Sequence, residues 1–222
     1  MIINYKNEAR QREAVLDYLK TNNFKRVLDV GGGMNSWASP YVTHLADTLA
    51  YNVEGVISFK GDLNEPEIWE EIAKDVEKNG MFDFAICTHV LEDIRNPVTI
   101  LKRMPLVAKE GFVAVPNKHW ELHKQIECFK PDDQKGWHVK DNWIGFFHHR
   151  WILDVKDGVL WLFPKLAFVE HIEGMDWAIG RSACDEMSFF WKESIPWKII
   201  NDDWLGPRGI EVCAEYQKHL TP

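Results

Sequence analysis

The sequence predicts an α/β fold, a mostly parallel sheet with helices on both faces, followed by a C-terminal elaboration rich in β-hairpins. Three observations predict it. Between residues 25 and 115, short apolar runs that read as strands alternate with segments of helical periodicity, the pattern of a parallel sheet covered by helices. The first of these runs ends in Gly31, Gly32 and Gly33, a sharp turn directly after a buried strand. Beyond residue 120 the pattern changes, and apolar runs flank the turn dipeptide Asp157-Gly158, a hairpin signal.

Taken in order, residues 7–19 set Ala14, Val15, Tyr18 and Leu19 on one stripe of a helix. Residues 25–30 form the first strand. Residues 42–47 read as the second strand, with the end of a helix over 37–49 as the alternative, and residues 56–59 as the third. Glu65-Pro66-Glu67 opens a helix, because proline is tolerated in the first turn and acids there suit the macrodipole. Ile68, Trp69, Ile72 and Val76 continue its apolar face, and Asn79-Gly80 ends it. A fourth strand spans 82–87. A helix over 98–107 is expected to bend or break at Pro105. Residues 111–115 form a fifth strand, stopped by Pro116. Residues 147–155 and 159–163 make the hairpin, and 187–191, 197–200 and 210–216 read as further strands. Residues 1–222 therefore read as a single domain.

Bulk properties narrow the function. The chain has 45% hydrophobic and 27% charged residues, ordinary values for a globular protein with a core. No apolar stretch approaches the roughly 20 residues that cross a bilayer, and the N-terminus lacks the apolar middle of a secretion signal. A cytoplasmic address and no membrane partner are the expectations. The net charge of −8 makes nucleic acid a poor default partner. Cys87, Cys128, Cys184 and Cys213 are scattered with no C-x-x-C pair, so they read as reduced, structural thiols rather than metal ligands.

The chemistry concentrates at strand ends. Glycines after a strand let the backbone turn and let a ligand approach without a Cβ in the way. Asp47 follows the second strand at about the spacing expected of a ribose-binding carboxylate, roughly 20 residues on, and Asp62 sits at the end of the third. Ligands of parallel sheets gather at these carboxyl ends. Asp29, just before the glycines, suits a cationic group such as a sulfonium or an α-amino group, not a phosphate, and no Walker lysine follows.

Asp29-Val30-Gly31-Gly32-Gly33 resembles the first motif of class I S-adenosylmethionine-dependent methyltransferases, which are Rossmann-like. Residues 82–94, with His89-Val90-Leu91-Glu92 after a buried strand, resemble their fourth-strand motif. The resemblance covers about residues 27–116. It implies that S-adenosylmethionine is the cofactor, with Asp29, Gly31, Gly32 and Gly33 along its methionine part. Asp47 would hold the ribose, Asp62 and Leu63 the adenine, and Thr88 and His89 would line the site. Residues 1–116 would then be the cofactor-binding half and 117–222 the acceptor-side half. The sequence departs from the pattern at Asn35, where the last glycine of the loop is usual. The segment from Gly33 to Val42 is also short for a full helix, so Glu54 stands as the alternative to Asp47 if the helix over 37–49 forms.

The acceptor-side half carries His119, Glu121, His123, His138, His148 and His149, together with all tryptophans except Trp37 and Trp69. A histidine with a pKa near 6.5 suits removal of an acceptor proton, which makes His148, His149 and His119 the candidate bases. Because residues 147–155 read as a strand, at most one of His148 and His149 is expected to face a given site. His119 and His123, four apart, would share a helical face and could hold a metal with Glu121, a minority reading; no metal is assigned. Exposed tryptophans would hint at a sugar. The functional expectation is methyl transfer to oxygen or nitrogen of a small-molecule or glycan acceptor. The alternative is a Rossmann-like nucleotide-binding protein without turnover. A nicotinamide oxidoreductase is disfavoured, because the full G-x-G-x-x-G spacing is missing.

Overall fold

The computed structural model describes residues 1–7, 10–123, 145–146, 148–171, 186–200 and 210–220. Val27, Leu28, Asp29 and Val30 are all buried, so the strand they form, β2 (Val27–Val30), takes the middle of a sheet. It pairs in parallel with β3 (His44–Asp47) on one side and β5 (Phe84–Thr88) on the other. β4 (Ile57–Lys60) extends the sheet beyond β3, and β6 (Glu110–Pro116) extends it beyond β5, all parallel. Two further strands complete it: β9 (Glu186–Lys192), antiparallel beside β6, and β1 (Ile2–Lys6), antiparallel to β9 at the edge. The order is thus β1-β9-β6-β5-β2-β3-β4. The chain leaves β2 towards β3 and returns to β5 on the other side. A crevice therefore opens at the carboxyl ends of β2 and β5, where ligands of such sheets bind.

Alternation along the strands makes two cores. Phe84, Ile86, Phe112 and Ala114 face one core with Val15 and Leu19 of α1 (Arg12–Asn22). Ala85, Cys87, Val113 and Val115 face the other, with α2 (Pro66–Asn79) and α3 (Pro97–Val107). Helices thus cover both faces. Of the expected α1 stripe, Val15 and Leu19 are buried, Tyr18 is half-buried and Ala14 is exposed. α2 starts at Pro66 and stops at Gly80, whose φ of 85° suits glycine. α3 does not break at Pro105. Proline there removes only one backbone donor, while buried Met104 and Val107 on either side hold the last turn to the core. No helix forms over 37–49, because His44–Asp47 is committed to hydrogen bonds with strands on both sides.

β7 (Trp151–Lys156) and β8 (Val159–Pro164) form the expected hairpin. Asp157 and Gly158 both have positive φ, 53° and 72°, as a type I′ turn requires. β10 (Trp197–Ile199) joins β8 in parallel to make a separate three-stranded sheet. The strand expected over 210–216 is instead part of a helix, α5 (Ile210–Leu220). Its buried Tyr216 and Leu220 recur at helical spacing and pack on Leu122, Ile152 and Phe163. Beyond residue 116 the chain also supplies β9, every residue of which pairs with β6. A four-residue helix, α4 (Lys118–Glu121), follows β6. Among the described residues, no helix is long and apolar enough to cross a membrane. Cys128, Cys184 and His138 lie outside the described residues. Cys87 is a buried free thiol, and burial raises its pKa well above the ordinary value.

Candidate functional site

At the end of β2 the chain turns on glycines for two distinct steric reasons. Gly31 has a φ of 77°, and a Cβ there would lie 2.4 Å from a Val90 methyl. Gly32 lies over the Asp29 carboxylate, 2.0 Å from where its Cβ would be. Gly31 N–H donates to the Ala46 carbonyl at 2.8 Å, which fastens the turn to β3.

Asp29 is only 1% exposed, and its Oδ1 receives no hydrogen bond. Burial pushes its pKa up to about 6; a Ser36 hydrogen bond opposes the rise and the Asp47 charge adds to it. A buried carboxylate short of donors is costly, and a cationic ligand at the crevice would offset that cost.

The other predicted cofactor residues lie at or just beyond the carboxyl ends of β3, β4 and β5. Asp47 ends β3, and its Oδ1 accepts from Leu49 N–H at 3.2 Å and Thr48 Oγ1 at 3.1 Å. Asp62 follows β4, exposed, with Oδ1 accepting from Asn64 N–H at 2.8 Å and Asn64 Nδ2 at 2.6 Å. Those two hydrogen bonds hold its pKa below the usual carboxylate value. Leu63 is buried in the core, and its carbonyl accepts from Trp69 Nε1 at 3.0 Å. Thr88, at the end of β5, accepts from Trp37 Nε1 at 3.2 Å.

His89, which follows the end of β5, lines a second cavity. It has a left-handed backbone, φ 54°, which turns its ring towards two acids. Its Nε2 is 3.1 Å from Glu186 Oε2, and its Nδ1 is 3.3 Å from Glu92 Oε1. Burial works against its charge, but hydrogen bonding and charge from Glu186 and Glu92 prevail and raise the pKa to about 9. His89 is therefore an imidazolium at neutral pH and a poor proton acceptor. Arg12, which stands 5.7 Å from the Trp37 ring, is also 3.7 Å from Glu186. The second cavity, about 250 Å³, is lined by His89, Glu92, Asp93, Phe146, His148 and His149, with Pro116.

The cavity is assembled by backbone bonds across a long stretch of chain. Arg150 and Trp151 both donate their N–H to the Glu92 carbonyl, and Trp151 Nε1 donates to the Ile94 carbonyl at 3.0 Å. His148 and His149 are thereby placed beside Asp93, with their rings 4.4 Å apart. The expectation that only one of them faces a given site is corrected: β7 starts at Trp151, so strand alternation does not apply to residues 148 and 149. His149 is buried and bonded through Nδ1 to Glu121, which Lys165 Nζ also holds at 2.8 Å. Burial opposes charge on His149, but Glu121 and the neighbouring acids outweigh it and its pKa rises. His148 is exposed.

His119 lies half-buried on α4 and does not line this cavity. Sequence reasoning passed over Asp93, Glu186, Arg12 and Phe146 as site residues. Asp93 follows directly on the His89-Val90-Leu91-Glu92 motif and could have been found there. Glu186 carries no local signal, because only the pairing of β9 with β6 brings it in.

The family described as a methyltransferase domain matches residues 4–165. No curated protein matches the chain. Among solved structures, the methyltransferase domain of bacterial CtHen1 is 14% identical over 82% of this chain and 98% of its own, with a TM-score of 0.41. The N-terminal domain of EvdMO1, with SAH bound, is 13% identical over 61% of this chain and 66% of its own, with a TM-score of 0.37. The plantazolicin methyltransferase BpumL, in complex with a triazolic desmethylPZN analog and SAH, is 13% identical over 49% of this chain, with a TM-score of 0.35. The chain spans about half the length of that last protein, 46%.

Proposed function

We infer the function from the family: the chain belongs to the methyltransferase-domain family, the Rossmann-like, S-adenosylmethionine-dependent methyltransferases that its motifs resemble. The reading is an enzyme that binds S-adenosylmethionine at the carboxyl ends of β2 and β5 and transfers its methyl group to oxygen or nitrogen of a small-molecule or glycan acceptor. Asp29 faces the cationic methionine part under the glycine turn, and Asp47 at the end of β3 takes the ribose. Asp62 is the exposed carboxylate near the adenine, with Leu63 beside it contributing through its backbone. Thr88 and His89 form the step between cofactor and acceptor.

The observation that supports the acceptor assignment is the cavity lined by His89, His148 and His149, with the last two side by side. The sulfonium is already activated, so the protein's work is alignment and removal of the acceptor proton. That proton leaves at His148, the exposed member of the pair, with His149 held beside it by Glu121, and not at His89, whose two acids keep it charged. The acceptor class is a small molecule or a glycan, and the panel below starts from small molecules.

The test measures S-adenosylhomocysteine release from S-adenosylmethionine with a panel of hydroxyl- and amine-bearing small molecules. His148→Ala should cut transfer to a responsive acceptor by roughly 10²–10⁴-fold while leaving S-adenosylhomocysteine affinity within about twofold. Normal transfer in His148→Ala would reject His148 as the proton's exit.

A further inference from the structure

We propose that Asp93, His148 and His149 form a binding site for a divalent first-row transition-metal cation. His148 Nε2 is 3.6 Å from Asp93 Oδ1 and His149 Nε2 is 3.7 Å from the same oxygen. One ligand atom from each of the three residues lies within 4.8 Å of the other two. Donor atoms bound at ~2.1 Å in a tetrahedron stand ~3.4 Å apart, so modest side-chain rotations close this group on one ion. A general base alone needs no such convergence, since one imidazole suffices. Two imidazoles and one carboxylate, with further positions left open, suit divalent first-row metals rather than calcium or magnesium.

The surroundings have the form of a metal ligand's support. The Nδ1 of His149 is hydrogen-bonded to Glu121, which is fully buried, and Glu121 is held in turn by Lys165. When Nδ1 carries the proton and donates it to Glu121, Nε2 offers its lone pair towards Asp93. Glu92 adds an independent observation. It lines the same cavity at 1% exposure, and neither of its oxygens receives a hydrogen bond. His89 faces Glu92 at 3.3 Å but shares its single charge with Glu186, so this wall keeps an excess of negative charge that favours a further cation beside it.

The inference deepens the methyltransferase reading, and rests on it only in naming the acceptor: a hydroxyl compound whose oxygen takes an open position on the cation. With the cation bound, His148 and His149 serve as its ligands in place of the base role given them above: the cation lowers the hydroxyl pKa and the proton passes to bulk water. The oxygen's electron pair then forms the bond to the methyl carbon, while the carbon–sulfur pair returns to sulfur, leaving S-adenosylhomocysteine.

The experiment titrates Co²⁺ into the full chain, freed of metal by a chelator, with calorimetry and visible ligand-field spectra as readouts. One equivalent should bind with the bands of a nitrogen- and oxygen-ligated ion. His148→Ala and Asp93→Asn should each weaken binding at least tenfold. Both side chains are over 40% exposed, so these variants should keep the wild-type melting temperature. Glu121→Gln should weaken binding by about 10–100-fold without abolishing the bands. The absence of saturable Co²⁺ binding, or equal binding in wild type, His148→Ala and Asp93→Asn, overturns the site. S-adenosylhomocysteine binding on the same samples separates the two readings, because its loss would sink the cofactor assignment and leave the Co²⁺ result standing.

Discussion

The glycine crevice and the histidine cavity both bury carboxylates, but they treat them in opposite ways. In the cavity each acid has a basic neighbour: Glu186 and Glu92 face His89, Asp93 faces His148 and His149, and Glu121 faces His149 and Lys165. In the crevice Asp29 is buried, forms no ion pair among the described residues, and has one oxygen that receives no hydrogen bond. A network satisfied within the protein holds its own geometry. A carboxylate left unsatisfied is held at a cost, which a cationic ligand relieves on binding. The difference teaches where the cofactor's charge is required for stability and where the protein has supplied most of the counter-charge itself.

The largest effect that would break this contrast is at Asp29. Asp29→Asn keeps the shape but removes the charge. It should weaken S-adenosylhomocysteine binding by about 2–5 kcal/mol, roughly 30-fold or more, and make the ligand-free protein more stable at pH 7. With a pKa of about 6 against an ordinary 3.8, the gain is on the order of 3 kcal/mol. The folded state holds the Asp29 proton more tightly than the unfolded chain. The residue's favourable contribution is therefore complete below pH 3.8 and lost as pH rises through about 6, and urea melts of wild type and variant should diverge over that window. Parallel curves would contradict the account.

Gly32→Ala comes next. Its Cβ would fall on the Asp29 carboxylate, so overpacking should cost about 1–3 kcal/mol, with ligand affinity falling alongside. On the cavity side, Glu186→Gln removes a partner of His89. The His89 contribution is complete below pH 6.5 and lost as pH rises through about 9, so the variant should flatten the decline in stability between those values. An unchanged slope would show that Glu92 alone sets the charge. The smallest effect is at the hairpin: Gly158→Ala, at φ 72°, should cost about 1–2 kcal/mol and leave ligand binding untouched.

The two regions also differed in how far the sequence revealed them. β2, β3, β4 and β6 were readable because each is a short run closed by a glycine, an acid or Pro116, and β5 because its apolar run leads into the His89-Val90-Leu91-Glu92 motif; the crevice residues lie at the ends of those runs. The cavity was only half readable. His148 and His149 stood out, but their shared face did not, because the strand was read from residue 147 when β7 begins at Trp151. Glu186 and Arg12 come together through sheet pairing and α1 placement, which no local pattern encodes. β1 was missed because five residues at a sheet edge, half of them polar, carry little periodicity. The 210–216 run was misread because its helical period shows only when Leu220 is included with Tyr216.

The central claim is that Asp29 under the glycine turn receives a cationic cofactor. Calorimetric titration of S-adenosylhomocysteine into wild type and Asp29→Asn tests it most directly, because the ligand keeps the α-amino cation. The account predicts one ligand bound per wild-type chain, weaker binding as pH falls below about 6, and a loss of roughly 30-fold or more in the variant. No binding to wild type at saturating ligand, or equal affinity in the two proteins, would contradict it.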